Sequence, residues 1–258
     1  MNPQGKAALI TGASRGVGAA TALALARMGC SVAINCNQSR DRAEQVASEA
    51  RALGVEAVVV PGDVALDDDC RALVEASARA FGRLDILVNN AGTTHFIDHQ
   101  DLDPVTDEVW SRIINVNLKG PFQCVRAARP HLEAGGCGVV VNVASVAGII
   151  GTGSSIPYCA SKAGLINMTI ALARALGPKV RVNAVAPGFI AGEWLQRGLA
   201  DHYDSAKAAR ERSAALGKVC EPSDIAAAIL SLISADLVTG QTLVVDGGGL
   251  VGTKGRWP

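Results

Sequence analysis

Tyr158 and Lys162 stand four residues apart in the stretch SIPYCASKAGL (155–165). On a helix that spacing puts both side chains on one face. A free phenol has a pKa of about 10 and is a poor base at neutral pH. A neighbouring ammonium stabilises the phenolate, and each unit of lowered pKa corresponds to about 1.4 kcal/mol. A pair of this kind suits general acid–base chemistry, in which the phenol gives up and recovers a proton. An isolated pair would be only a surface contact worth tenths of a kcal/mol. The chain has only two tyrosines, Tyr158 and Tyr203.

A second site of chemistry lies near the start of the chain. The stretch TGASRGVG (11–18) follows a β-branched run, AALIT, and leads straight into a helical pattern. Gly12, Gly16 and Gly18 let the backbone turn sharply, so that a pyrophosphate can approach the free N–H groups of a helix N-terminus. Glycine also serves plain strand–helix corners, and the spacing G-x-x-x-G-x-G departs from the usual dinucleotide fingerprint. Downstream, INCNQSR (34–40) offers Asn35, Cys36 and Asn37 where an NAD site would carry an acid for the ribose 2′-hydroxyl. With no acid at position 36, and with Arg15 and Arg40 at hand, a 2′-phosphate is the better match. NADP(H) is therefore favoured, with NAD(H) the alternative.

These residues need a scaffold that brings 11–18 and 155–165 together. Short β-branched runs at 7–11, 31–35, 56–60, 85–89, 138–144, 180–186 and 242–245 alternate with helical stretches at 16–28, 39–53, 66–81, 106–132, 157–176 and 222–234. Continuous apolar runs suit strands covered on both faces. The alternation predicts α/β: one doubly wound, Rossmann-type domain over 1–258, with a mostly parallel seven-stranded sheet flanked by helices. The polar segment 192–217 interrupts the alternation at the edge where ligands bind. It reads as a substrate lid or as a solvated pair of surface helices.

Composition narrows the function. Of 258 residues, 49% are hydrophobic and 3% aromatic, so the core is built from Ala, Val, Leu and Ile. Twenty-four basic and 24 acidic residues cancel, so no global field favours nucleic acid or an anionic membrane. Seven cysteines without a CxxC pair or a histidine cluster predict reduced thiols and no metal site. The opening MNPQGKAALITG lacks the features of a signal peptide, and GVVVNVASVAGIIG is too short and polar to span a bilayer. The expectation is a cytoplasmic protein.

The ordered set of motifs resembles the short-chain dehydrogenases/reductases. It comprises TGASRGVG, NNAG (89–92), Asn117 in NVNLKG, Ser145 in NVASVAG, YCASK (158–162) and Pro187-Gly188, and the likeness runs from Lys6 to GQTLVVDGG (240–248). The resemblance implies an oxidoreductase moving hydride between a nicotinamide and a carbonyl or secondary alcohol. In it Tyr158 is the acid, Lys162 holds the nicotinamide ribose and favours the phenolate, Ser145 bonds the reacting oxygen, and Asn117 keeps a water in the proton relay. Gly12, Ser14, Arg15, Gly16, Val17, Gly18 and Asn37 would hold the cofactor's phosphates and ribose. Asp63 and Val64 would hold the adenine, Asn90, Ala91 and Gly92 would line the cofactor, and Pro187 and Ile190 would pack by the nicotinamide. Many relatives carry a threonine where this chain has Gly192, which leaves carboxamide anchoring to the backbone at Ile190.

The pattern is nearest to ketoacyl-carrier-protein reductases, but EAGGCG (133–138) lacks the positive charge those enzymes place there, leaving only Lys179 nearby. Thr94, His95, Phe96, residues 146–155, Cys159, Phe189 and Trp194 predict a mostly apolar pocket with little capacity for a charged substrate. Two other readings are a non-catalytic redox sensor, which would typically lose Tyr158 or Lys162, and an epimerase or dehydratase, disfavoured by the glycine spacing. Alanines such as Ala127, Ala128, Ala160, Ala163, Ala171 and Ala175 predict a second buried face on two helices, and with it a homotetramer.

Overall fold

In the computed structural model, which describes residues 1–252, the seven apolar runs become strands. They are β1 (Ala7–Ile10), β2 (Ser31–Cys36), β3 (Ala57–Pro61), β4 (Ile86–Asn89), β5 (Gly138–Val143), β6 (Val180–Pro187) and β7 (Thr242–Val245). They form one sheet in the order β3-β2-β1-β4-β5-β6-β7, and every pairing is parallel. Every residue of β1, β4 and β5 is buried. That is the burial expected of strands covered by helices on both faces.

Helices α1 (Gly16–Arg27), α2 (Arg40–Ala52), α3 (Asp67–Phe81), α4 (Asp107–Ile114), α5 (Gly120–Ala134), α6 (Ala147–Ile150), α7 (Ile156–Leu176), α8 (Glu193–Leu199), α9 (Tyr203–Ser213) and α10 (Pro222–Ser234) connect the strands. One apolar layer gathers α1, α2 and α10 around Leu25, Ile34, Val141 and Ile229. The opposite layer gathers α3, α5 and α7 around Leu9, Leu73, Leu87 and Val140. The chain order reverses between β1 and β4, and the crevice beyond their carboxyl ends is where such sheets bind ligands.

Two local readings change. The single helix expected over 106–132 is two helices joined by a π-helical turn, Asn115–Lys119, with Asn117 buried inside it. The side chain of Asn117 accepts from the Thr93 amide (2.8 Å) and donates to Thr93 O (2.9 Å) and to Ser161 Oγ (3.1 Å). These ties fix the turn against its neighbours, and such turns recur at functional sites. The segment 192–217 folds as α8 and α9, joined by a short 3₁₀ turn at Ala200–His202.

Candidate active site

The glycine loop is held by side chains that the sequence does not advertise. Asn35 accepts from the Gly12 amide (3.1 Å) and donates to Val60 O (3.0 Å) and Gly62 O (3.1 Å). Just past β4, Asn90 donates to Thr11 O (2.9 Å) and Gly12 O (3.0 Å), while Thr11 Oγ1 accepts from the Asn90 and Ala91 amides at 3.0 Å each. A Cβ on Gly18 would lie 2.6 Å from Asn90 Nδ2 and 2.7 Å from Gly12 O, so only glycine lets α1 begin this close to the loop. No side chain caps α1, which leaves its first N–H groups for a ligand. A tight glycine cradle ending on an uncapped helix N-terminus fits the pyrophosphate of a dinucleotide. Ser14, Arg15, Gly16 and Val17 lie in or beside that cradle.

At the ribose end the structure separates the candidates. Cys36 is 2% exposed, so it faces the core, and Asn37 takes the exposed position. Arg15 is met by Arg42 rather than by Arg40. Both reach Glu193 at the start of α8, at 3.6 Å and 2.8 Å, and Arg197 approaches it at 3.8 Å. Arg42 first, then Arg15 and Arg197, hold the Glu193 carboxyl below the usual carboxylate range. At the adenine end, Asp63 accepts from the Ala65 amide (3.0 Å) and pairs with Arg112 (2.8 Å). Burial pushes the Asp63 carboxyl up, but these partners and Asn37 outweigh it and hold it low. Val64 is buried beside it.

The catalytic candidates converge on one cleft. Ser155 caps α7 by accepting from the Tyr158 amide (3.4 Å), and Pro157 occupies the first turn, so Tyr158 stands one turn inside a fixed helix start. Lys162 is 4% exposed, and its Nζ donates to Val143 O at 2.8 Å. A buried polar chain locks this helix to the sheet: Asn89 donates to Asn142 (2.9 Å), Asn142 to Thr169 Oγ1 (2.9 Å), and Thr169 to Leu165 O (2.8 Å). Ser145 leaves β5, and its Oγ accepts from the Ala147 amide at 3.1 Å. Gly148 then lies flat on α7, where a Cβ would sit 2.5 Å from the Lys162 carbonyl carbon. Gly92 faces the same spot: a Cβ there would be 3.6 Å from Asn117 Oδ1 and 3.8 Å from Lys162 Nζ.

Protonation follows burial. The Tyr158 phenol is pushed up to about 12 by desolvation, with the Ser145 hydroxyl beside it working the other way. Lys162 is pushed down to about 8 by desolvation. Its Nζ lies 5.7 Å from the Tyr158 ring centroid, and in the protein alone burial outweighs the expected lowering of the phenol.

Tyr158 and Ser145 line a cleft of about 860 Å³, together with Phe96, Ile150, Phe189, Trp194 and much of 146–154. Thr94, His95 and Cys159 do not line it; Cys159 is buried, and Thr94 bonds Ser154 at 2.6 Å. The expected apolar pocket is also more polar than its motif suggests, because Asp98, His99, His202, Arg210, Lys218 and Asp246 share its walls. Pro187 ends β6, its carbonyl accepting from the Val146 amide at 3.0 Å, and Ile190 pairs with Cys220 in an isolated bridge.

Residues 12–249 match the family model described as Enoyl-(Acyl carrier protein) reductase. A Streptomyces violaceoruber protein, provisionally named ketoacyl reductase 2 of the granaticin polyketide synthase, is 42% identical over 95% of this chain and 96% of its own. The 3-oxoacyl-(acyl-carrier-protein) reductase FabG of Staphylococcus aureus is 38% identical over 94% of this chain and 97% of its own. A Burkholderia xenovorans structure titled as a short-chain dehydrogenase/reductase superposes with a TM-score of 0.88 at 38% identity, over 96% of this chain and 98% of that one. The chain belongs to the short-chain dehydrogenase/reductase family. It is an oxidoreductase acting on CH–OH groups, and a nicotinamide dinucleotide is the cofactor that membership implies. Asn35, Asn89, Asn142 and Ser155 stand inside the quoted stretches without a role of their own there, and Arg112 lies outside them; all five shape the site. Asn35 and Asn142 sit in strands where an amide stands out against apolar neighbours, which is the one signal that could have found them.

Proposed function

We propose that this protein is an NADP(H)-dependent carbonyl reductase or alcohol dehydrogenase with Tyr158 as its general acid and base. The observation that carries the reading is the Tyr158 phenol with Ser145 on the wall of one cleft, one helical turn from a buried Lys162. A bound nicotinamide supplies or accepts the hydride. Ser145 and Tyr158 then serve one substrate oxygen, Ser145 by bonding it and Tyr158 by donating its proton as negative charge grows there. The nascent alkoxide is a far stronger base than a phenolate, so the transfer runs downhill even from a phenol near 12. Lys162, held on Val143 O, supplies the neighbouring positive charge and a donor for the nicotinamide ribose. Asn117 ties Thr93 to Ser161, the residue before the lysine, and would keep a water in the proton relay.

Support for NADP(H) over NAD(H) comes from Arg15, Arg42 and Asn37 near the expected 2′-position and from the lack of an acid at the end of β2, with Glu193 pairing the two arginines in the protein alone. A second reading, reduction of a 3-oxoacyl thioester on a carrier protein, is favoured by the names of the relatives. A homotetramer in the cytoplasm completes the picture. No helix among the described residues is long and apolar enough to cross a membrane. Ile156, Ala160, Ala163, Asn167, Ile170 and Ala171 form an exposed, uncharged stripe along α7 suited to a symmetry mate; Ala128, by contrast, packs inside the core. NADPH consumption measured against ketones, ketoacyl thioesters and ketoses tests the proposal. No turnover with any carbonyl compound, despite measured NADPH binding, would sink it in favour of a nucleotide-binding sensor.

A further inference from the structure

Resting on the carbonyl-reductase reading, the geometry points to a substrate that carries an oxyanion, a carboxylate or a phosphate ester, held by Arg210 and Lys218 in the same cleft as Tyr158. Both residues line that cleft, and neither makes an ion pair among the described residues. On the same helix Lys207 pairs with Glu211 at 2.8 Å, while Arg212, like Arg210, makes no ion pair among the described residues. The two carboxylates in the cleft walls are already engaged. Asp246 accepts from the Gly248 and Leu250 amides at 2.8 Å each, and Asp98 accepts from the Gln100 amide at 2.9 Å. Two solvent-exposed cations, without an ion pair among the described residues, therefore line a cleft whose acids accept hydrogen bonds from backbone.

The position of Lys218 is built into the fold. From Ser145 the hydrogen bonds lead outward in steps: the Val146 amide to Pro187 O, the Gly188 amide to Val245 O, and the Leu216 amide to Gly247 O. Lys218 follows two residues later, its carbonyl packed tightly on Gly247. Arg210 sits in the last turn of α9, where its own carbonyl accepts from the Ala214 amide at 3.0 Å and so starts the turn toward Lys218. Phe189, Trp194 and Leu195 line the same cleft and give it an apolar part suited to an alkyl or thioester spacer. A substrate with a carbonyl at one end and an anionic group at the other uses all of these features.

The test compares matched substrates. One pair is a medium-chain keto acid and its methyl ester; the other is an acetoacetyl thioester of 4′-phosphopantetheine and of pantetheine. At low salt the charged member of at least one pair should show a kcat/KM about tenfold higher, through KM, and the preference should shrink as ionic strength rises. In the Arg210→Gln/Lys218→Gln variant the ratio should fall toward one. Preference confined to the first pair identifies a free carboxylic acid, and preference confined to the second identifies a carrier arm. Equal rates for charged and neutral members, or a ratio unmoved in the variant, would overturn this inference while leaving the carbonyl reading intact. If no ketone turns over, calorimetry with the hydroxy acid and its ester decides the matter. Selective binding of the acid that the variant loses upholds the anion site and leaves only the reaction in error, whereas no selectivity overturns the site as well.

Discussion

Replacing Lys162 with methionine should leave the protein inactive and yet more stable, because the wild type holds an ammonium where water cannot reach it. Burial lowers that group from 10.5 to about 8. At about 1.4 kcal/mol per unit, the protonated side chain costs the folded state about 3 kcal/mol at neutral pH. Methionine fills a similar shape without charge. It forfeits the 2.8 Å bond to Val143 O, a loss of about 1 kcal/mol, so a net gain of about 2 kcal/mol remains. The sign follows from which state holds the proton. Below the folded value near 8 both states are protonated and the penalty is complete; above 10.5 both are neutral and it is gone. Between these limits the folded wild type sheds its proton first and grows more stable as pH rises. Tyr158 titrates the opposite way between 10 and about 12, but it is present in both proteins and drops out of the difference. Urea unfolding of both proteins at one concentration, repeated at pH 7 and near pH 10, reads the effect directly. A methionine variant less stable than wild type at pH 7, or a difference that does not shrink with pH, would show that the lysine's charge is compensated in the fold and that the burial argument is wrong.

Tyr158→Phe should cut kcat by about 10²–10⁴-fold while the NADPH dissociation constant moves less than about threefold, since only the transferable proton is lost; steady-state kinetics with fluorescence titration separates the two. Glu193→Gln should tighten NADPH binding by about threefold to tenfold and leave NADH little changed, because the carboxylate on Arg15 and Arg42 competes with a 2′-phosphate; equal gains for both cofactors would place the effect elsewhere. Gly148→Ala should destabilise by about 3 kcal/mol and lower kcat at least about tenfold, because its Cβ would press on the α7 backbone 2.5 Å from the Lys162 carbonyl carbon and shift Ser145 from Tyr158; thermal melting and turnover report each half.

Much of this protein was legible in the chain itself, and for a local reason. The apolar runs of β1, β4 and β5 are continuous because both sheet faces are covered, and that pattern survives in any reading of VVVNV or DILVN. The glycine loop shows because backbone geometry leaves few other residues there, and the Tyr158–Lys162 spacing shows because the helix repeat is fixed. Where several residues compete for one contact, sequence order is silent. Nothing local says that Arg42 rather than Arg40 meets Arg15 at Glu193, since that choice is made when α8 crosses to α2. Cys36 and Asn37 are equally plausible ribose neighbours until the strand's last pleat turns one inward. The tie from Asn89 through Asn142 to Thr169, which sets α7 on the sheet, spans three elements far apart in the chain. Arg210 and Lys218 read as charges on a polar insertion, and they stay exposed; only tertiary packing sets them on the wall of the cleft that holds Tyr158. The sequence determined which groups can do the chemistry, because local backbone rules write those groups into its spacing. Tertiary structure decided what surrounds them, and with it their protonation, because desolvation depends on every segment that packs nearby.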